Sequence, residues 1–207
     1  MQVTYDLGIA MIAMPIKSTE KEIFQKLFIH VGLFHLGMAW FGAVGETING
    51  CGMPTIITEA QLMGPSSVKS FISEKHFNCC KRTHMLVSLA LEQEEFKMFL
   101  DGKNIEISDE IKTFFDSPTV CLEEENEEIK GLIISFEYIH NACLAGKYGK
   151  TKQFYAKYIE FIKYYLMLDH SVRMNDVDSL IYILSKLNAI FFELNHHNYA
   201  RWILWYV

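Results

Sequence analysis

From His76 to Leu100 the chain contains neither glycine nor proline, and this unbroken run constrains the fold more than any other feature. Strands in globular proteins run about 3–10 residues, so a stretch this long without a turn former is predicted to be one helix, stopping near Asp101-Gly102. Prolines number four in 207 residues, and most other segments also read as helix. Leu33, Leu36, Trp40, Phe41, Val44 and Ile48 recur at three- and four-residue spacing, the period of a helix with one buried face, and Asn49-Gly50 closes that segment. A short helix is expected from Pro54 to Leu62, then a Gly64-Pro65-Ser66 turn whose serine is placed to cap the next helix. Thr119–Ala145, Thr151–Leu168 and Asp176–Asn195 carry helical spacing. Gly146 and Gly149 separate the first two, and Met174-Asn175-Asp176 separates the last two with Asp176 as the cap.

Two segments read as strands. Gln2–Tyr5 holds Val, Thr and Tyr and ends at Asp6, and Phe28–Val31 is stopped by Gly32. The expected fold is therefore mainly α: a single helical domain over 1–207 with two short strands, and a loop or insertion over 103–118. Two short strands do not make a sheet that is stable by itself. They must pair inside a helical shell, or part of their sheet lies outside this chain.

Half the residues are apolar, 14% are aromatic and 21% are charged, which excludes disordered and linker classes. The apolar runs Leu7–Ile16 and Leu33–Val44 fall short of the roughly 20 residues a bilayer span needs, so no membrane segment is expected. No basic residue precedes the first run and no cleavage pattern follows it. Five cysteines, two of them adjacent (Cys79 and Cys80), do not form a disulfide framework, and an intracellular, reducing location is expected.

The net charge of −6 is unevenly placed. Glu92–Glu137 holds 14 acids against four lysines, whereas His140–Arg173 holds six cations against two acids. This balance does not support autonomous phosphate binding, and the acidic run Glu123–Glu128 reads as a solvated helix start.

Several candidate motifs reduce to plainer readings. Gly146-Lys147-Tyr148-Gly149-Lys150-Thr151 ends like a phosphate-binding loop, but Leu144 stands where the first glycine belongs and a helix leads in where a strand should. A helix–helix turn accounts for it. His76, Cys80 and His84 share a helix face, yet the outer two are about 12 Å apart along the axis, so at most a neighbouring pair could ligate one ion. Cys51 lies between two glycines with no base in sight, and reads as a turn residue. Phe154, Tyr155, Tyr158, Phe161, Tyr164 and Tyr165, interleaved with lysines, read as core in preference to a base-stacking surface.

Phe191-Phe192-Glu193-Leu194-Asn195-His196-His197-Asn198-Tyr199-Ala200-Arg201-Trp202 is dense in polar, titratable and aromatic side chains. It resembles the Phe-Phe-x-Leu-Asn-His-x-Asn-Tyr-Ala-Arg-Trp signature of a group of transposon-derived animal proteins. These in turn resemble a fungal and animal family of ribonuclease-H-like transposase cores. Thr4-Tyr5-Asp6, Gly32-Leu33-Phe34-His35, Gly50-Cys51-Gly52-Met53 and Arg82-Thr83-His84 match further landmarks in order.

The resemblance implies an incomplete ribonuclease-H-like core with a large helical insertion, a fragment of a longer transposase core. It places Asp6 at the inherited position of a first metal-binding acid, with Mg²⁺ or Mn²⁺ as the cofactor if the ancestral site survives. Two-metal phosphodiester chemistry needs several acidic ligands. Gly32–His35 brings no second Asp, and Glu193 stands where the family carries a small residue. Nucleic acid is a partner by resemblance, not by net charge. On this basis His35, Asn195, His196, Asn198, Tyr199, Arg201 and Trp202 form a binding or structural polar cluster. Asp6, His35, His196 and Asn198 are expected to be buried hydrogen-bonding groups that tie helices to strands. Three functional readings follow: a transposase remnant without autonomous catalysis, a protein-interaction module with an acidic face, and a metal-dependent nuclease or transposase active only with a complementing chain.

Overall fold

The structure, a computed structural model, describes residues 2–73, 75–106, 108 and 127–204. It is mainly helical, with two short strands. In chain order the elements are β1 (Gln2–Tyr5), α1 (Leu7–Thr19), α2 (Lys21–Phe24), β2 (Phe28–Val31), α3 (Leu33–Ile48), α4 (Met53–Glu59), α5 (Pro65–Ile72), α6 (Phe77–Lys103), α7 (Glu127–Leu144), α8 (Lys150–Met174), α9 (Val177–Glu193) and α10 (His197–Ile203). Contacts divide them into two compact units, one of Met1–Met85 with Phe161–Val207 and the other of Leu86–Glu160.

In the first unit β1 and β2 pair in parallel, Gln2 opposite Phe28 and Tyr5 opposite Val31. Parallel strands need a crossover between them, and α1 with α2 supplies it. Leu7 and Ala10 of α1 pack with Ile29 of β2 and with Trp202, flanked by Tyr5, Leu27 and Tyr199. The opposite side of α1 carries Ile9, Ile12 and Ile16, each about half exposed or more.

The centre of this unit is α3. Trp40, Phe41, Val44 and Ile48 are fully buried, on the face that their spacing predicts. Trp40 Nε1 donates to the Phe161 carbonyl at 3.0 Å, and its ring meets Phe161 and Phe191 edge-on at 5.8 and 5.3 Å. Gly45 lets α3 approach the end of α5: a Cβ there would fall 3.0 Å from the Ile72 carbonyl carbon and closer still to its oxygen.

One device ends five of the ten described helices. Gln61, Asn104, Gly146, Asn175 and Asn195 all have positive φ, between 51° and 77°. After each, the next N–H returns to a carbonyl five residues back: Leu62 to Ile57, Ile105 to Leu100, Lys147 to Ala142, Asp176 to Ser171 and His196 to Phe191, all at 2.8–3.1 Å. This is the Schellman stop, which favours residues tolerant of the left-handed region. Asp176 then caps α9 by accepting from Ser179 N–H at 3.1 Å. The Ser179 bonds, side chain first and then backbone, hold its carboxyl below the usual aspartate value.

Two boundaries differ from expectation. Ser66 does not cap α5. Pro65 occupies the first turn with Gly64 before it, and no side chain bonds the helix start, because a proline there needs no acceptor for an N–H. His76 lies outside α6, with φ at 65°. Of the loop expected over 103–118, Lys103 is the last residue of α6 and residues 104–106 and 108 are non-helical, while 107 and 109–118, the helix start expected at Thr119 and the acids 123–125 lie outside the described residues.

The second unit holds the later part of α6, α7 and the start of α8. Phe99, Ile129, Ala142, Cys143, Ala156, Tyr158 and Ile159 are buried, and Phe96 and Phe99 meet Phe136 at 5.2 and 5.7 Å.

Candidate functional site

Both strands of the parallel pair end where a helix begins. Asp6, the first residue after β1, accepts the Ile9 N–H on Oδ1 at 2.9 Å and so caps α1. Gly32, the first after β2, donates its N–H to the Tyr5 carbonyl at 2.8 Å and precedes α3. A Cβ on Gly32 would lie 3.3 Å from the His35 ring, so glycine accommodates the histidine behind it.

The C-terminal signature reaches this corner from α9 and α10. Asn195 takes the left-handed position of the helix stop, with φ at 65°. His196 N–H returns to the Phe191 carbonyl at 2.8 Å, and its ring lies 5.9 Å from that of Phe191. Tyr199 stacks on Phe191 at 5.4 Å and donates its hydroxyl to the His35 carbonyl at 3.4 Å. Trp202 is buried against Leu7, Ala10 and Ile29. The tie between helices and strands is therefore aromatic.

The expectation that Asp6, His35, His196 and Asn198 are buried is corrected: Asp6, His35 and Asn198 are exposed and His196 is half-buried. Capping residues and helix-start polar groups sit at the ends of elements, where water reaches them. Arg201 is likewise exposed. His196 Nε2 lies 3.7 Å from Glu46 Oε2, whose side chain is largely exposed, a weak surface pairing.

A helix stop can be tested against a binding role at Asn195. Asn195→Ala is expected to cost about 1–2 kcal/mol, the penalty of a Cβ in the left-handed region, while Asn195→Gly stays within a few tenths of wild type. Urea unfolding of both variants measures this; equal losses would show that the amide matters more than the backbone.

The other landmarks also have packing roles. Gly50 and Gly52 have φ of 93° and 82°, and the Cys51 thiol donates to the Ile48 carbonyl at 3.0 Å, making this a turn. His76 is exposed and outside the helix, while Cys80 is buried with its thiol 3.1 Å from the Lys75 carbonyl. His84 is fully buried between Phe41 and Phe71, ring centroids 4.9 and 4.2 Å away, and burial pushes its pKa down to about 3. Tyr158 and Tyr165 are buried, as a core reading of the aromatic helix requires. In the acidic region Glu94 and Glu127 pair with Lys97 and Lys130 one turn away, at 2.6 and 3.3 Å.

The second unit contains a polar cluster that sequence reasoning missed. His140 Nδ1 lies 2.9 Å from Glu95 Oε2, and Nε2 lies 3.2 Å from Glu160 Oε1. Glu95 and His140 are buried. Both lie on buried stripes, Ser88-Glu95-Phe99 of α6 and Ile129-His140-Cys143 of α7, and a titratable residue on each stripe was the available signal. Burial, then the hydrogen bond and charge of Glu95, push the Cys143 thiol up to about 11, so it is no nucleophile at neutral pH. Glu95 and Cys143 also line a cavity of about 300 Å³ with Met98, Phe99, Tyr148 and Lys152.

Metal chemistry needs converging donors. Asp6 offers one exposed carboxylate already bonded to Ile9, and among the described residues no group of three His, Cys, Asp or Glu is placed to hold an ion. The donor set around Asp6 does not fit a two-ion centre. Among the described residues no helix is long and apolar enough to cross a membrane.

Fold and corner together define a mainly helical protein built on one parallel β-α-β element, whose C-terminal helix pair is pinned to the strands by aromatic residues. The chain belongs to the family described as Domain of unknown function (DUF8702), whose model matches residues 1–207. Comparison with curated proteins gives no match, and neither does comparison with solved structures.

Proposed function

We propose that this protein is a transposon-derived domain, a remnant of a ribonuclease-H-like transposase core that lacks autonomous catalytic activity. The observation that carries the reading is the parallel pair β1–β2 joined through α1, with Asp6 at the carboxyl end of β1, the end where open α/β sheets place their chemistry. Two features support incompleteness. Parallel sheets are ordinarily covered on both faces, yet α1 leaves Ile9, Ile12 and Ile16 in solvent. One carboxylate cannot clamp two cations around a phosphate. In this reading Asp6 has passed from ligand to helix cap.

Calorimetric titration with Mg²⁺ and Mn²⁺, together with nicking of supercoiled DNA, tests the proposal on wild type, Asp6→Asn and Asp6→Ala. Wild type is expected to show neither saturable stoichiometric binding nor nicking. Asp6→Asn is expected to hold wild-type stability and Asp6→Ala to lose about 1 kcal/mol, the usual cost of removing a cap. Saturable Mn²⁺ binding that disappears in Asp6→Asn, accompanied by nicking in wild type, would overturn the loss of catalysis.

A further inference from the structure

We propose that the unit spanning Leu86–Glu160 is fastened by a proton: His140 bridges Glu95 and Glu160 as an imidazolium, so its three helices hold together at mildly acidic pH and loosen as pH rises. Ionised carboxylates only accept hydrogen bonds, and a neutral imidazole has one donor and one acceptor nitrogen. With Glu95 Oε2 at 2.9 Å from Nδ1 and Glu160 Oε1 at 3.2 Å from Nε2, a neutral ring would aim a lone pair at a carboxylate oxygen. The side chain of His140 is 7% exposed and that of Glu95 10%, so water does little to screen such a contact. A second ring proton makes both contacts attractive. It belongs on the ring, because an imidazole holds a proton more firmly than a glutamate carboxyl does.

The surrounding charges fit this state. Glu95 approaches from α6 and Glu160 from α8, so the ring lies between two anions on different helices. Cys143, one turn on from His140, bonds Glu95 as a neutral thiol, and Lys152 of α8 lies near enough to act on that thiol. Lys103 and Lys152 line the cavity that Glu95 borders, and their charge favours ionised carboxylates. A histidine joining α6 to α8 through α7 is a different element from the strand corner, and the proposal does not depend on a transposase origin.

The sign follows from linkage. Below the ordinary histidine value of about 6.5 the ring is charged in both folded and unfolded chains, and the fastening is complete. Above it the unfolded chain releases a proton that the cluster keeps, so stability falls with rising pH. Below about 4.3 the carboxylates begin to protonate and the clamp weakens from the other side.

The full-length chain, labelled with ¹⁵N, gives the test. The His140 side-chain nitrogens are expected to report a doubly protonated ring at about pH 7.5, and amide-exchange protection over 127–144 is expected to fall about tenfold between about pH 6 and about pH 8.5 after correction for intrinsic rates. In Glu160→Gln the side-chain amide can donate to Nε2, a neutral ring suffices, and that fall is expected to disappear. A ring with one bare nitrogen at pH 6 while 127–144 stays protected would overturn the proposal. So would an unchanged pH dependence in Glu160→Gln. The ring state is read on wild type, so it decides the matter even if the variant does not fold.

Discussion

Lowering the pH from 6.5 towards 3 is expected to weaken the unit that holds His84 by about 1.4 kcal/mol for each pH unit. His84 lies without exposed surface between the faces of Phe41 and Phe71, and burial pushes its pKa down to about 3 from an ordinary 6.5. Because the folded-state value is lowered, the unfolded chain binds the extra proton. The stability contribution is whole above 6.5 and is lost progressively as pH falls towards 3. Urea unfolding at about pH 7, 6 and 5, followed in wild type and His84→Leu, measures it. The variant removes the titrating group while keeping the site apolar, so its stability is expected to be flatter over that interval. Parallel slopes would show that the acid sensitivity arises elsewhere.

Trp40→Ala is expected to cost about 3–5 kcal/mol, the range for emptying a large aromatic site in a core. The indole is fully buried, meets Phe161 and Phe191 edge-on, and satisfies the Phe161 carbonyl through Nε1. Alanine would leave a cavity and remove the indole hydrogen bond to a carbonyl inside α8, two separate losses. For a chain of this size such a loss lowers the melting temperature by about 6–20 °C. Trp40→Phe keeps most ring contacts and loses the donor, so it is expected to cost less than half as much. Thermal unfolding of the two variants separates packing from hydrogen bonding; equal losses would assign the effect to the hydrogen bond.

Most helices were legible because their limits are written in local chemistry. The period of Leu36, Trp40, Val44 and Ile48 sets the face of α3, and Gly146, Asn175 and Asp176 mark turns whose backbone favours those residues. The start of α6 was less legible: His76 adopts a left-handed φ of 65°, a conformation that only a few per cent of non-glycine residues take. At the strand corner the position of Asp6 could be read, but its exposure could not, since burial depends on segments far away in sequence. The same distance hid the cluster in the second unit. His140 is 45 residues from Glu95 and 20 from Glu160, and periodicity shows which face of a helix is buried without naming the residue opposite.

The split order of the first unit bears on how the chain is made. Leu7, Ala10 and Ile29 emerge early from a ribosome, whereas Trp202, which covers them, emerges after the whole of Leu86–Glu160. The early β-α-β segment must wait through that interval with apolar surface uncovered, a condition that invites aggregation or chaperone capture. The later unit is contiguous in sequence and meets no such delay, so during biosynthesis it can mature before the split unit is complete.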